Sequence, residues 1–226
     1  MVDLTNILDQ GSPGRAVEAW YAANQQQRTH LGLSEVGHEC HRYLWYRHNG
    51  YEQAPIDGRV LRLFQLGNLI EDQAIKDLIS AGYTITDNQK EVFFEHHDIK
   101  LTGHIDGIIT GLLESSKPHL WECKSANDKS FNKLLKCKSY EKWSSKYYAQ
   151  IQVYMLGLKL DRALVYVENK NDSSIYTERV KLNAEYAVNL LQDVFTAILQ
   201  KSPPERLCPS QSWYIAKRCP FSDVCW

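Results

Sequence analysis

Gly103-His104-Ile105-Asp106-Gly107 and Trp121-Glu122-Cys123-Lys124 are the two runs that set the fold. They lie in apolar, β-branched stretches, Ile99 to Ile109 and His119 to Lys124, interrupted at Gly111 and at Ser115-Ser116-Lys117-Pro118. Such stretches read as neighbouring strands. Asp106 is expected on the first strand, Glu122 and Lys124 on the second. Residues i and i+2 of a strand share a face, so Glu122 and Lys124 point the same way. Pairing of the two strands can bring Asp106 beside them. Two adjacent carboxylates repel unless a cation lies between them, and hard oxygen donors select Mg2+ or Mn2+. Such an ion can polarise a phosphodiester and activate water. A lysine beside it can orient that water or neutralise developing charge on the phosphoryl group. The competing reading is a set of solvated acids and a lysine on an exposed sheet face. Ile105, Ile108, Ile109, Leu120 and Trp121 embed the charges in apolar surroundings and argue against it.

Away from these strands the periodicity is helical. Val60 to Ile79 places apolar residues at Leu63, Leu66, Ile70, Ala74 and Leu78, an amphipathic helix that Gly82 ends. Arg15 to Arg28 and the aromatic-rich Leu33 to His48 are expected to be helical before it. Glu91 to Phe94 is a further strand. A helix is expected from about Ser144 to Leu158, then strands at Ala163 to Val167 and Ile175 to Val180. A last helix, Ala184 to Leu199, is stopped by Pro203-Pro204. This order predicts an α/β fold with a mixed sheet flanked by helices.

The 226 residues suit one domain, with a core over about 33–200 and a short tail over 205–226. Hydrophobic residues at 43% and charged residues at 23% are a globular composition. No apolar run approaches bilayer-spanning length. The N-terminal Met1-Val2-Asp3-Leu4-Thr5 lacks a secretory pattern, so a cytoplasmic protein is expected. A net charge of −1 exerts no global pull on nucleic acid, which puts any such contact in a local basic patch. The eight histidines show no paired-ligand spacing and read as structural or solvated.

Taken together, these residues resemble the PD-(D/E)XK nuclease superfamily, in its RecB-like and phage-exonuclease branches. Gly67-Asn68-Leu69-Ile70-Glu71 resembles the Gly-x-x-x-Glu element of lambda-exonuclease-like enzymes, in which the acid helps to hold a metal. RecB-like relatives usually carry His there, so Glu71 tilts toward the phage branch; by itself it would be an ordinary solvated helix acid. Gln150-Ile151-Gln152-Val153-Tyr154 resembles the RecB-like Gln-x-x-x-Tyr motif. Its i, i+4 spacing puts amide and phenol on one helix face, to contact DNA or the carboxylates that back the metal ligands. The resemblance implies a restriction-endonuclease-like core, with Asp106, Glu122, Lys124 and Glu71 catalytic. Glu71, Asp106, Glu122 and the Cys123 carbonyl would be metal ligands for Mg2+ or Mn2+.

Six cysteines in a reducing compartment read as core residues or metal ligands. The segment around Cys40, and Cys219 to Cys225, resemble the terminal cysteines of iron–sulfur RecB-like nucleases. That resemblance implies a [4Fe-4S] cluster clasping the chain ends. The usual Cys-x-x-Cys pair is broken, because Ala216 stands where its first member belongs. Cys208 completes the set with Cys40, Cys219 and Cys225, or the cluster is incomplete; structural zinc on the same thiolates is the alternative. Cys123 and Cys137 read as ordinary.

Lys129, Lys133, Lys136, Lys138, Lys142 and Lys146 are interleaved with Phe131, Tyr140, Trp143, Tyr147 and Tyr148. Lysines pair with phosphates and aromatics stack on bases, so this stretch, Lys133 and Lys136 in particular, is a candidate for sequence-independent DNA contact. The alternative is a solvated helix face with core aromatics. The expected function is a metal-dependent DNA exonuclease processing ends in phage recombination or replication. The resemblance implies a recombination partner protein and a homo-oligomer with it. A CRISPR-adaptation-type trimming nuclease, and a non-catalytic nucleic-acid-binding protein on a nuclease fold, are the alternatives.

Overall fold

β5 (His119–Ala126) is buried at His119 to Cys123 and again at Ala126, which requires helices on both of its faces. The computed structural model describes residues 11–25 and 30–226. Its main sheet has the order β1-β4-β5-β6-β7, with β1 (Thr84–Thr86), β4 (Gly107–Thr110), β6 (Arg162–Asn169) and β7 (Ile175–Lys181) around β5. β5 and β6 are parallel; the other pairs are antiparallel. β2 (Glu91–His96) and β3 (Ile99–His104) form a separate antiparallel hairpin. This is the mixed, helix-flanked α/β sheet that the sequence leads one to expect.

Parallel pairing of β5 with β6 demands a long crossover. It is built from α4 (Asp128–Cys137), α5 (Tyr140–Trp143) and α6 (Ser145–Leu158). Each starts on a side-chain cap: Asn127, Ser139 and Ser144 accept from the backbone N–H of Ser130, Lys142 and Tyr147. α4 and α6 end on left-handed lysines, Lys138 (φ 48°) and Lys159 (φ 56°). On the α6 face of the sheet, Leu120, Val165 and Val167 pack with Ile151, Val153 and Tyr154, and with Val194 and Phe195 of α7 (Ala184–Ile198). On the opposite face, Trp121, Cys123, Leu164 and Tyr166 pack on Ile70 and Ala74 of α3 (Gly58–Ser80). Each fully buried aliphatic side chain contributes about 2 kcal/mol.

Three expectations need correction. Ile99 to Ile109 is not one strand: β3 stays in the hairpin, β4 joins the main sheet, and Asp106 sits at the break between them. The change of partner causes the break, because Ile105 still exchanges backbone bonds with Gln89 and Lys90. Leu33 to His48 divides into a 3-10 turn, Leu33–Glu35, and α2 (His41–His48). At the bend, Gly37 lies so close to α6 that a Cβ would stand 2.5 Å from Ala149 Cβ. The first helix is α1 (Pro13–Ala23), closed at Asn24; Arg28 lies outside the described residues, as does the Met1–Thr5 segment. β1, α4 and α5 had no assignment from the sequence.

The tail returns to α2. Arg42 Nε donates to the Pro204 carbonyl (2.5 Å), Trp45 Nε1 to Gln200 O (2.8 Å), and Ala54 N to Pro220 O (2.8 Å). Phe221, 1% exposed, packs between Tyr43 and Tyr46. No described helix is long and apolar enough to cross a membrane.

Candidate active site

Asp106 is placed by the chain's change of sheet. Its carbonyl accepts from Asn88 Nδ2 (3.0 Å), and Gly107 follows where a Cβ would stand 2.9 Å from Ile85 Cγ2. One step beyond the Gly107–Trp121 pair, Asp106 stands opposite Glu122. The Cys123 N–H donates to Asp106 Oδ2 at 2.8 Å, so the strand bearing Glu122 and Lys124 also holds the first carboxylate.

Glu122 is 0% exposed. Its Oε1 accepts from Lys124 Nζ at 2.5 Å, while Oε2 has no hydrogen-bond partner among the described residues. Burial, then repulsion from Asp106, pushes the Glu122 carboxyl up to about 8, against the pull of Lys124. Asp106 is raised by burial as well, with Lys124 and the Cys123 N–H opposing. Burial works against the Lys124 ammonium, but Glu122 and Asp106 outweigh it and hold the amine charged. Lys124 Nζ also lies 5.3 Å from the centre of the Tyr147 ring.

Glu71 comes from α3, on the other side of the sheet from α6. That helix approaches β5 closely at Gly67, where a Cβ would stand 3.8 Å from Ser125 Oγ. Glu71 Oε1 accepts from Gln89 Nε2 (3.2 Å). Burial, then Asp106, raises its carboxyl to about 7, with Lys124 opposing. Among the described residues, no three His, Cys, Asp or Glu side chains converge closely enough to hold an ion as they lie. Glu71 is turned to Gln89 and Glu122 to Lys124.

Gln150 (6% exposed) and Tyr154 (1%) are buried beneath this centre, too deep to meet DNA directly. Gln150 donates to the Tyr154 hydroxyl, which feels the Glu122 charge. A Cβ on Gly103 would stand 2.7 Å from Tyr154 Oη, so glycine is what lets the phenol lie against β3. Lys133 and Lys136 are exposed on α4, Lys133 Nζ reaching the Trp143 carbonyl (2.9 Å). Phe131, Tyr140 and Trp143 are buried core residues, which corrects the expectation that they stack on bases. Sequence reasoning missed how the Tyr147 ring lies against Lys124, with Tyr140 stacked on Tyr147. Their places depend on the left-handed turn at Lys138, for which the sequence carries no glycine signal.

Cys40, Cys208, Cys219 and Cys225 line one cavity of about 260 Å3 between α2 and the tail. Arg42 Nη1 donates to Cys225 Sγ at 3.8 Å. Burial, followed by the neighbouring Cys40, raises the Cys208 thiol; burial raises Cys219. Cys123 is apart from them, buried against α3, and Cys137 Sγ donates to the Ser139 carbonyl (3.4 Å).

The chain matches no protein-family model and no curated protein. Its structure is similar to the crystal structure of SSO0001, with a TM-score of 0.51 at 17% identity, over 96% of this chain and 97% of that one. It is also similar to an alkaline exonuclease (LHK-Exo) from Laribacter hongkongensis, with a TM-score of 0.49 at 15% identity, over 80% of this chain and 90% of that one. A phage-related exonuclease from Haemophilus somnus 129PT gives 0.48 at 16% identity, over 76% of this chain and 92% of that one. The first of these likenesses establishes the α/β fold alone.

Proposed function

We propose that this chain is a Mg2+- or Mn2+-dependent deoxyribonuclease that hydrolyses phosphodiester bonds at DNA ends. The observation that carries the reading is Glu122, a fully buried carboxylate opposite Asp106, with one oxygen on Lys124 and the other unpartnered. A carboxylate left in that state is costly without a further cation. Its raised proton affinity, shared with Asp106 and Glu71, has the same cause. Three carboxylates are the hard donor set that a divalent ion prefers.

Asp106, Glu122 and Glu71 would hold the ion, with the Cys123 carbonyl within the same strand. When bound, it supplies Lewis acidity toward a phosphodiester. The remaining work falls to the chain. The Cys123 N–H fixes the Asp106 carboxylate, Lys124 offers a permanent positive charge to the phosphoryl group, and Gln150 with Tyr154 supports Glu122 from below. Lys133 and Lys136 would meet the DNA backbone irrespective of sequence. Attack from free ends, and a role in phage recombination or replication, rest on the motif resemblance. Digestion of end-labelled linear and circular DNA with Mg2+ or Mn2+ tests the reading. Release of nucleotides from linear DNA is expected, and no metal-dependent cleavage of either form would overturn it.

The cysteine cavity is the second part of the reading: a [4Fe-4S] cluster clasping α2 to the tail. Four cysteines far apart in sequence line one cavity. The motif resemblance favours an iron–sulfur cluster over zinc on these thiolates.

A further inference from the structure

Tyr140 is 0% exposed, yet its hydroxyl has no hydrogen-bond partner among the described residues. Its backbone is anchored and its ring lies among aromatic neighbours. Tyr140 N donates to Glu178 Oε2 (2.7 Å), Trp143 lies 5.6 Å from the ring centre, and Tyr147 stacks at 6.5 Å. The largest charges acting on the hydroxyl are those of Lys124 and Glu122. A buried polar group without a partner lowers stability, and in a native structure such a group calls for a reason.

Lys124 shows what the hydroxyl is for. Its ammonium now donates to Glu122 Oε1. A divalent ion taken by the unpartnered Glu122 Oε2 draws the carboxylate and its charge away from Lys124, and leaves the buried ammonium short of acceptors. The Tyr147 ring face at 5.3 Å offers partial compensation but no lone pair. Tyr140 Oη, buried and unpartnered among the described residues, is an acceptor close enough to feel the Lys124 charge, and Tyr140 and Lys124 both lie against the Tyr147 ring.

We propose that Tyr140 is a positioning residue whose hydroxyl oxygen accepts from Lys124 Nζ when Glu122 turns to the cation, holding the ammonium where the scissile phosphate arrives. The proposal rests on the nuclease reading. Tyr166 provides an internal control, because its hydroxyl is also buried and unpartnered but lies on the α3 face of the sheet.

The test compares wild type, Tyr140→Phe and Tyr166→Phe by melting temperature, by kcat and KM on linear DNA with Mg2+, and by NMR of lysine labelled with 13C at Cε. Lys124→Arg assigns the Lys124 signal. Tyr140→Phe should melt at or above the wild-type temperature, keep KM, and lose kcat by at least about tenfold, the scale for removing a group that supports a metal site. Tyr166→Phe should keep kcat. On adding Mg2+, the Lys124 signal should move in wild type and move differently in Tyr140→Phe, while the metal-free spectra agree. Unchanged kcat in Tyr140→Phe overturns the proposal, and so does a fall matched by loss of folded protein. Wild type that cleaves nothing ends the nuclease reading instead. The Mg2+-loaded spectra then decide alone, and identical Lys124 signals in the two proteins overturn the role of Tyr140.

Discussion

The Cys123 backbone N–H and the Asp106 carboxylate are joined across the β4–β5 pair at 2.8 Å, at the point where the chain leaves one sheet for the other. An acid at a strand break would otherwise be free to swing. This bond ties it to the strand that carries Glu122 and Lys124.

The bond makes Asp106→Asn an informative substitution. The Asn oxygen can still accept from Cys123 N, so the fold should persist, while the charge needed for a divalent ion is gone. Asp106→Asn, Glu122→Gln and Lys124→Ala should each lower nuclease activity by at least about 100-fold, with circular dichroism unchanged. Near-wild-type cleavage by any two of them would remove these residues from the active centre.

The raised carboxyls predict an inverted pH dependence of stability. Glu71 at about 7 and Glu122 at about 8 both start from 4.5. The folded protein therefore binds these protons more tightly than the unfolded chain. The stability this contributes is present at acid pH and is lost as pH rises through the folded values. A divalent ion replaces the protons, so Mg2+ should raise the melting temperature more near pH 8.5 than near pH 5.5. Glu122→Gln should flatten both trends. Equal Mg2+ shifts at the two pH values would contradict the assignment.

How far the sequence foretold this site follows from the range of each signal. Glu122 and Lys124 were legible because strand parity is local: two residues apart means one face. Asp106 was expected beside them on a strand but sits at a break, because the break depends on the partners of Ile105, which lie at Gln89 and Lys90. Phe131, Tyr140 and Trp143 carried the composition of a stacking surface. Only the packing of α4 and α5 against the sheet turns them inward. The cysteine cavity joins residues far apart in sequence, which spacing alone could not bring together.

Gly103 tests the packing beneath the centre. A Cβ there meets Tyr154 Oη at 2.7 Å, Tyr154 Cε1 at 2.8 Å and Leu33 Cβ at 2.9 Å. Tyr154 is buried and cannot yield as a surface side chain would. Gly103→Ala should cost about 1–3 kcal/mol in urea melts. Tyr154→Phe in the same background should recover part of that loss, since it removes the nearest atom. A cost within about 0.5 kcal/mol of zero would mean that β3 and α6 adjust freely.

Lys133 and Lys136 are exposed, with no carboxylate on either among the described ion pairs. Reversing both to Glu should weaken DNA binding on every sequence and flatten its salt dependence. Phe131→Ala, by contrast, should lower stability first, because its ring is core. Unchanged affinity and salt slope in the double reversal would leave α4 a solvated face.

The cysteine cavity gives the sharpest outcome. Cys40 enters from α2, Cys208 from the loop after Pro203-Pro204, and Cys219 and Cys225 from the last residues of the tail. Of the tail's aromatic residues, Phe221 is buried whereas Trp213 and Trp226 are 44% and 43% exposed, so little apolar packing secures this segment. A cluster would add its own folding energy at this point. Anaerobically purified protein should be brown and contain iron and sulfide in near-equal amounts. If Cys208 stands in for the thiol that Ala216 lacks, Cys208→Ala should bleach it and make the tail protease-sensitive. Ala216→Cys in the Cys208→Ala background probes the same point from the other side. Ala216 lines the cavity and is 3% exposed, so a thiol there should restore colour. Colourless wild-type protein carrying zinc would replace the cluster with a structural zinc site. Wild type and Cys208→Ala that are equally brown would show that three thiols suffice and that Cys208 is a bystander.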